Sequence, residues 1–213
     1  MFKKWGMPKS IRVDNGKPLG DPQRKRMTAL GLWLTGLGIK VIYNRPRRPT
    51  DNAKVERMQR TTKNWAVIKT CKTKKQLQEQ LKTALQIQRE FYKVTRLGGK
   101  TRLETYPEIL NNLRKYSAEL FDVQKVYLEL SKWLFVRRIS SHGQFSIYGQ
   151  VYYLGIRYAK QNVSIKFNNK SISWEISNSK GELVNTISAK NFSEIDIKKL
   201  TINQRTSHRK GQS

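Results

Sequence analysis

Two acids stand out in a chain crowded with cations: Asp14, in Ile11-Arg12-Val13-Asp14-Asn15-Gly16, and Glu56, in Asp51-Asn52-Ala53-Lys54-Val55-Glu56-Arg57, with 41 residues between them. An acid that ends an apolar strand and a second acid on a basic helix can share a divalent cation beside a phosphodiester. Hard magnesium takes carboxylate oxygen in preference to imidazole. A pair of such ions about 3.5–4 Å apart activates an attacking water or hydroxyl and stabilises the leaving oxygen of phosphoryl transfer. Arg60 and Lys63 fall one and two turns beyond Glu56, where they can hold the same strand, with Lys54 and Gln59 on the same helix. Arg45, Arg47 and Arg48 precede it. Only thirteen residues come before Asp14, so a third carboxylate from an upstream strand is expected outside this sequence.

Each acid also has an ordinary reading. Asp-Asn-Gly commonly makes a turn, and Glu56 with Arg60 at i+4 is an exposed helix pair worth roughly 0.3–0.5 kcal/mol. What favours the metal reading is the combination of order, spacing, strand-end placement and a shared helix face. Asp21 is better read as a helix cap, and Asp51 as a capping or loop residue, than as further ligands.

The elements that must position the pair follow from local pattern. Ile11 and Val13 alternate into Asp14. Asp21-Pro22 reads as an N-cap with proline at the first helical position. Met27, Leu30, Leu34 and Leu37 recur at helical spacing, and Gly38 stands where a left-handed cap belongs. Residues 39–43 form a second strand. Two strands joined by a packed helix are parallel neighbours ending on one edge, where ligands of open α/β sheets gather. The loop of residues 44–52, with Pro46, Pro49 and three arginines, is extended and cationic. The following helix is expected over residues 53–69, with Val55, Met58, Thr62 and Trp65 as its apolar stripe. Thr73 and Gln76 make a capping box for a helix carrying Leu77, Leu81 and Leu85.

The composition bounds the partner. Forty-three Lys and Arg against fifteen Asp and Glu give a net charge of +28, which points to nucleic acid, since each neutralised phosphate releases counterions. The longest mostly apolar stretch, residues 29–39, contains two glycines and a threonine and is short of the roughly 20 residues a membrane span needs. No signal segment follows Met1. The single Cys71 excludes an internal disulfide and fits a reducing, cytoplasmic setting. With Cys71, His142 and His208 scattered, a zinc site is not expected. From residue 132 the pattern turns to short strands at 133–139, 145–148, 150–153, 163–167, 171–176 and 183–187. The expected division is an α/β core over 1–69, a helical connector over 70–131, an all-β small barrel over 132–190 and a flexible basic tail over 191–213. Residues 95–107, with Gly98-Gly99, read as a loop before a short helical segment bearing Ile109, Leu110, Leu113 and Tyr116. Tyr152, Tyr153, Phe167 and Trp174 are read as barrel interior in preference to a stacking surface.

Val13-Asp14-Asn15-Gly16 followed by Asp51-Asn52-Ala53-Lys54-Val55-Glu56-Arg57-Met58-Gln59-Arg60-Thr61 resembles the second and third acidic motifs of DDE-type transposases and retroviral-type integrases. Trp5-Gly6-Met7-Pro8 and Arg45-Pro46 also resemble that family. The later region, from Tyr106-Pro107 through Lys132-Trp133 to Val151-Tyr152-Tyr153-Leu154-Gly155, is similar to the C-terminal part of bacterial insertion-sequence transposases. The resemblance implies a ribonuclease H-like core, here partial and truncated at its N-terminus. It implies two Asp and one Glu binding Mg2+ or Mn2+, with Asp14 as the second acid and Glu56 as the third. It implies cleavage and joining of DNA ends, first by water and then by a DNA 3′-hydroxyl. The implied partners are transposon-end and target DNA, together with further copies of the chain or the upstream transposase portion. The alternatives are a non-catalytic DNA-binding remnant that inhibits intact transposase, and a ribosome-like RNA binder.

Overall fold

A computed structural model describes residues 2–16, 18–19, 27–45, 47–111 and 114–201. In chain order the elements are α1 (Phe2–Trp5), β1 (Ser10–Val13), α2 (Ala29–Gly36), β2 (Lys40–Tyr43), α3 (Ala53–Trp65), α4 (Lys74–Gln86), α5 (Arg102–Thr105) and α6 (Val123–Leu130). There follow β3 (Leu134–Arg138), β4 (Gln144–Ile147), β5 (Gln150–Tyr153), β6 (Asn162–Asn168), β7 (Ser173–Ser177), β8 (Leu183–Ser188) and α7 (Glu194–Lys198). They group into two compact units, one of Met1–Pro8 with Asn44–Tyr116, the other of Lys9–Tyr43 with Ser117–Ser213. The division interleaves the expected segments, because residues 9–43 group with the C-terminal strands.

In the second unit β1 and β2 are parallel, in register from Ser10 opposite Lys40 to Val13 opposite Tyr43. The helix between them begins at Thr28, whose hydroxyl accepts the Gly31 N–H at 3.2 Å. The expected cap at Asp21-Pro22 lies outside the described residues. The other end of α2 is a Schellman close: Ile39 N–H donates to the Leu34 carbonyl at 3.0 Å and Gly38 N–H to Thr35 at 2.8 Å, with Gly38 at φ 68°. Leu32 and Leu34 are buried, and α2 packs against α6 and α7.

The C-terminal strands form an open antiparallel sheet in the order β3-β6-β7-β8, with β4-β5 as a separate hairpin. Among the described residues no closed sheet forms, so the expected barrel is not seen. Side chains hold the hairpin to the sheet instead. Tyr148 stacks on Trp174 and meets Phe135 edge-on, and the Trp174 indole N–H donates to the Tyr152 hydroxyl at 3.2 Å. Period-two burial along β6 puts Val163, Ile165 and Phe167 into the same core. The expected tail contributes too, a correction to the reading of residues 191–213. Phe192 is buried against Trp174 and Phe167, its carbonyl accepts the Tyr127 hydroxyl at 2.7 Å, and α7 follows with a Ser193–Asp196 capping box. Residues 202–213 lie outside the described residues.

The first unit is helical. Helix α3 stops at Trp65, four residues short of expectation, because Val67 takes a left-handed conformation (φ 42°) and a 3-10 turn follows. Helix α4 starts as expected, with Gln76 N–H on the Thr73 hydroxyl, and runs into a π-helical turn, Ile87–Phe91. That turn delivers Gln88 to a buried hydrogen bond with the Thr62 hydroxyl at 2.7 Å. Within residues 95–107, expected as a loop, the structure has a 3-10 turn, Thr95–Leu97, and α5 with its Thr101–Glu104 capping box; of the short helical segment expected next, a 3-10 turn, Pro107–Ile109, is seen, and Leu113 lies outside the described residues. Among the described residues no helix is long and apolar enough to cross a membrane.

Candidate nucleic-acid interface

Asp14 leaves the sheet at the carboxyl edge shared by β1 and β2, as the parallel pairing requires. It is exposed, and one carboxylate oxygen accepts the Gly16 N–H at 3.2 Å, the hydrogen bond of an Asx turn. The turn reading of Asp-Asn-Gly therefore holds in the structure, and it leaves the second oxygen without a donor among the described residues.

Glu56 sits in the first turn of α3, where the helix dipole favours a negative charge. It is exposed, with only a long contact from the Asn52 side-chain amide, 3.4 Å to Oε1. Rotation of about 100° per residue puts Gln59, Arg60 and Lys63 within about 60° of Glu56 around the axis. They share its side of the helix and are exposed. Lys54 falls about 160° away by the same geometry and borders a separate concavity. The stripe of Val55, Met58, Thr62 and Trp65 is covered only at its C-terminal end: Val55 and Met58 remain 45% and 46% exposed.

The preceding loop holds its three arginines differently. Arg45 grips Asp51 through two side-chain bonds, Nη2 to Oδ1 at 2.6 Å and Nε to Oδ2 at 3.0 Å, and its backbone N–H donates to the same carboxylate. These bonds raise the guanidinium pKa still further above its ordinary value. Asp51 ends a 3-10 turn, Pro49–Asp51, and its carboxylate ties the start of this loop to the approach to α3. Arg47 and Arg48 are exposed, Arg47 in the left-handed region at φ 59°.

Residues 37–87 match the family model of an integrase core domain. The matched stretch takes in β2, the Arg45–Asp51 clasp, α3 with Glu56 and its cations, and α4. Over that stretch it supports an integrase or transposase family and fits a ribonuclease H-like fold. Asp14 lies before it. Integrase-type cores are metal-dependent as a class, and the donor chemistry here agrees in kind. Asp14 and Glu56 present hard carboxylate oxygens, and neither is ion-paired with a described cation although 43 Lys and Arg are available. Among the described residues no group of three acid, His or Cys side chains gathers to hold an ion.

Two features here escaped the sequence reading. The Thr62–Gln88 hydrogen bond joins residues 26 apart, and a polar pair at that separation leaves no periodic signal. The cations Arg57, Arg96 and Arg102 come together only through the fold.

Proposed function

We propose that the chain is the DNA-handling part of a transposase or integrase of the insertion-sequence type. The observation that carries the reading is the match of residues 37–87 to an integrase core domain over a helix whose Glu56 side also carries Gln59, Arg60 and Lys63. Arg60 and Lys63, with Arg47 and Arg48 from the loop, hold the phosphodiester by charge and hydrogen bonding without reading base sequence. Arg45 acts at one remove, by fastening the loop to α3. Asp14 and Glu56 are the carboxylates that would hold Mg2+ or Mn2+, together with a third acid. The metal, when bound, would supply an activated nucleophile and a stabilised leaving oxygen for strand cleavage and transfer.

The test has a readout besides activity. Iron(II) replacing magnesium, with ascorbate and peroxide, cuts a backbone near its ligands. The full chain with duplex DNA should be cut close to Asp14 and Glu56, and Asp14→Asn or Glu56→Gln should abolish both cuts while duplex binding persists in chelator. Cleavage indifferent to both substitutions would overturn the metal assignment. Failure of the chain to bind duplex DNA at low salt would overturn the reading as a whole.

A further inference from the structure

The side of α3 turned away from Glu56 borders a cavity of about 520 Å3. Its walls come from α3, the end of the π-helical turn, the following loop and α5, all within the helical unit. Lys54 and Arg57 enter from α3, Arg96 from the loop and Arg102 from α5, and no acid lines the space. Lys54, Arg57 and Arg96 make no ion pair with a described acid. Arg102 is fixed: Nη1 donates to the Gln88 carbonyl at 2.7 Å, and its guanidinium lies 5.9 Å from the Tyr92 ring centre. Tyr92 is braced edge-on by Trp65, with ring centres 5.1 Å apart, yet stays 47% exposed.

Four like charges around one concavity repel one another, and an anion placed among them reverses the sign of that interaction. An inorganic anion would satisfy the cations alone. The Tyr92 face, with Met58 and Val94 beside it, offers apolar and aromatic surface that such an ion does not use. The volume lies within the roughly 300–1,000 Å3 typical of small-molecule sites. It admits one flat ring and its phosphate, whereas a base still paired in a duplex cannot enter.

We propose that this cavity binds a nucleotide, with its phosphate held by Lys54, Arg57 and Arg96 and its base against Tyr92. The ligand chemistry is the same for a free nucleotide and for one unit of a single strand. The site is separate from the carboxylates, since neither Asp14 nor Glu56 lines it, and it needs no metal. It stands even if the metal assignment fails.

Binding of the full chain to thymidine monophosphate, to a short oligothymidylate and to a duplex of equal length should be followed by fluorescence anisotropy and calorimetry in chelator. Arg57→Gln with Arg96→Gln changes exposed residues only, so an unaltered melting temperature is expected. Oligothymidylate affinity should fall at least tenfold, duplex affinity should change less than threefold, and Tyr92→Ala should weaken the single strand about tenfold. Arg60→Gln with Lys63→Gln, on the other side of α3, should show the reverse preference. Saturable binding of the monophosphate, lost in Arg57→Gln/Arg96→Gln, identifies a free-nucleotide site; loss confined to the oligonucleotide identifies a strand site. Unchanged single-strand affinity in Arg57→Gln/Arg96→Gln, or equal losses for duplex and single strand, would overturn the proposal.

Discussion

Gly36→Ala tests how tightly the helix that joins β1 to β2 is seated. A Cβ at Gly36 would lie 2.2, 2.6 and 2.7 Å from Cε2, Cζ and Cδ2 of Phe121, distances that real Cβ contacts do not show. Phe121 is 7% exposed, its neighbour Asp122 donates its N–H to the Gly36 carbonyl at 2.9 Å, and the Lys198 ammonium lies 5.3 Å over the ring. The ring is therefore hemmed in. Alanine gains at most about 1 kcal/mol of helix propensity over glycine, and less at the last helical position. Overpacking a filled site costs about 1–3 kcal/mol, and three sub-contact distances to one ring put this case at the upper end. The net expectation is a loss of about 1–3 kcal/mol, or about 3–9 °C in melting temperature at roughly 3 °C per kcal/mol. Calorimetry of the full chain should show the fall in the transition of the sheet-containing unit alone. In a Phe121→Leu background, itself destabilised by a smaller side chain, the same Gly36→Ala change should cost almost nothing, giving a coupling of at least about 1 kcal/mol. A coupling within about 0.5 kcal/mol of zero, or a raised melting temperature for Gly36→Ala alone, would refute the contact. Because α2 sets where β1 ends, a confirmed clash also identifies the packing that holds Asp14 at its strand terminus.

Two further outcomes follow from the same geometry. Burial raises the phenol pKa of Tyr43, Tyr127 and Tyr152, all in the sheet-containing unit, above the ordinary 10.0. For a group protonated more tightly in the folded chain, stability is full below the unfolded pKa and is lost as pH rises through the folded one. The unit's melting temperature should hold to about pH 9 and fall above pH 10, less steeply in Tyr127→Phe; a pH-independent value through pH 11 would contradict this. For duplex binding, Arg60→Gln with Lys63→Gln should reduce the slope of log affinity against log salt by about 1.8, since each phosphate neutralised contributes about 0.9. Arg45→Gln should leave that slope almost unchanged, because Asp51 already neutralises the guanidinium, and an equal reduction from Arg45→Gln would remove the distinction between the two groups.

Local pattern carried the secondary structure well. Each of the six strands expected after residue 132 forms, shifted at its ends by no more than two residues, because period-two alternation reports directly which side chains meet a core. Gly38 marked the end of α2 for a backbone reason that needs no tertiary contact. What was not legible is non-local. Whether six strands close into a ring depends on pairing between elements distant in sequence, and here bulky aromatic residues such as Tyr148 and Trp174 fill the space between hairpin and sheet. Phe192 lies in a polar stretch and gave no periodic signal, yet its ring is buried among Tyr148, Phe167 and Trp174. Similarly, Val55 and Met58 could be placed on one stripe from spacing, but nothing in the spacing says whether a neighbour covers them.

The candidate site shows the same boundary between residue type and arrangement. Charge is readable from sequence, but whether a charge is available depends on its partners, and Arg45 and Arg60 differ in that respect alone. Arg45 is held by a carboxylate with 7% of its side chain exposed, so it stabilises the loop; Arg60 makes no such pair with a described acid and can meet a phosphate. The helix period then separates the remaining cations. With 3.6 residues per turn, a helix carrying Lys54, Arg57, Arg60 and Lys63 cannot present them all to one ligand. Arg60 and Lys63 accompany Glu56, while Lys54 and Arg57 border the cavity with Tyr92. A single basic helix can therefore serve two nucleic-acid contacts, one tied to a carboxylate that suits a divalent ion and one that depends on cations and an aromatic ring. The metal-dependent and metal-independent behaviour of the chain should separate by stripe around α3, whatever the order of residues along it.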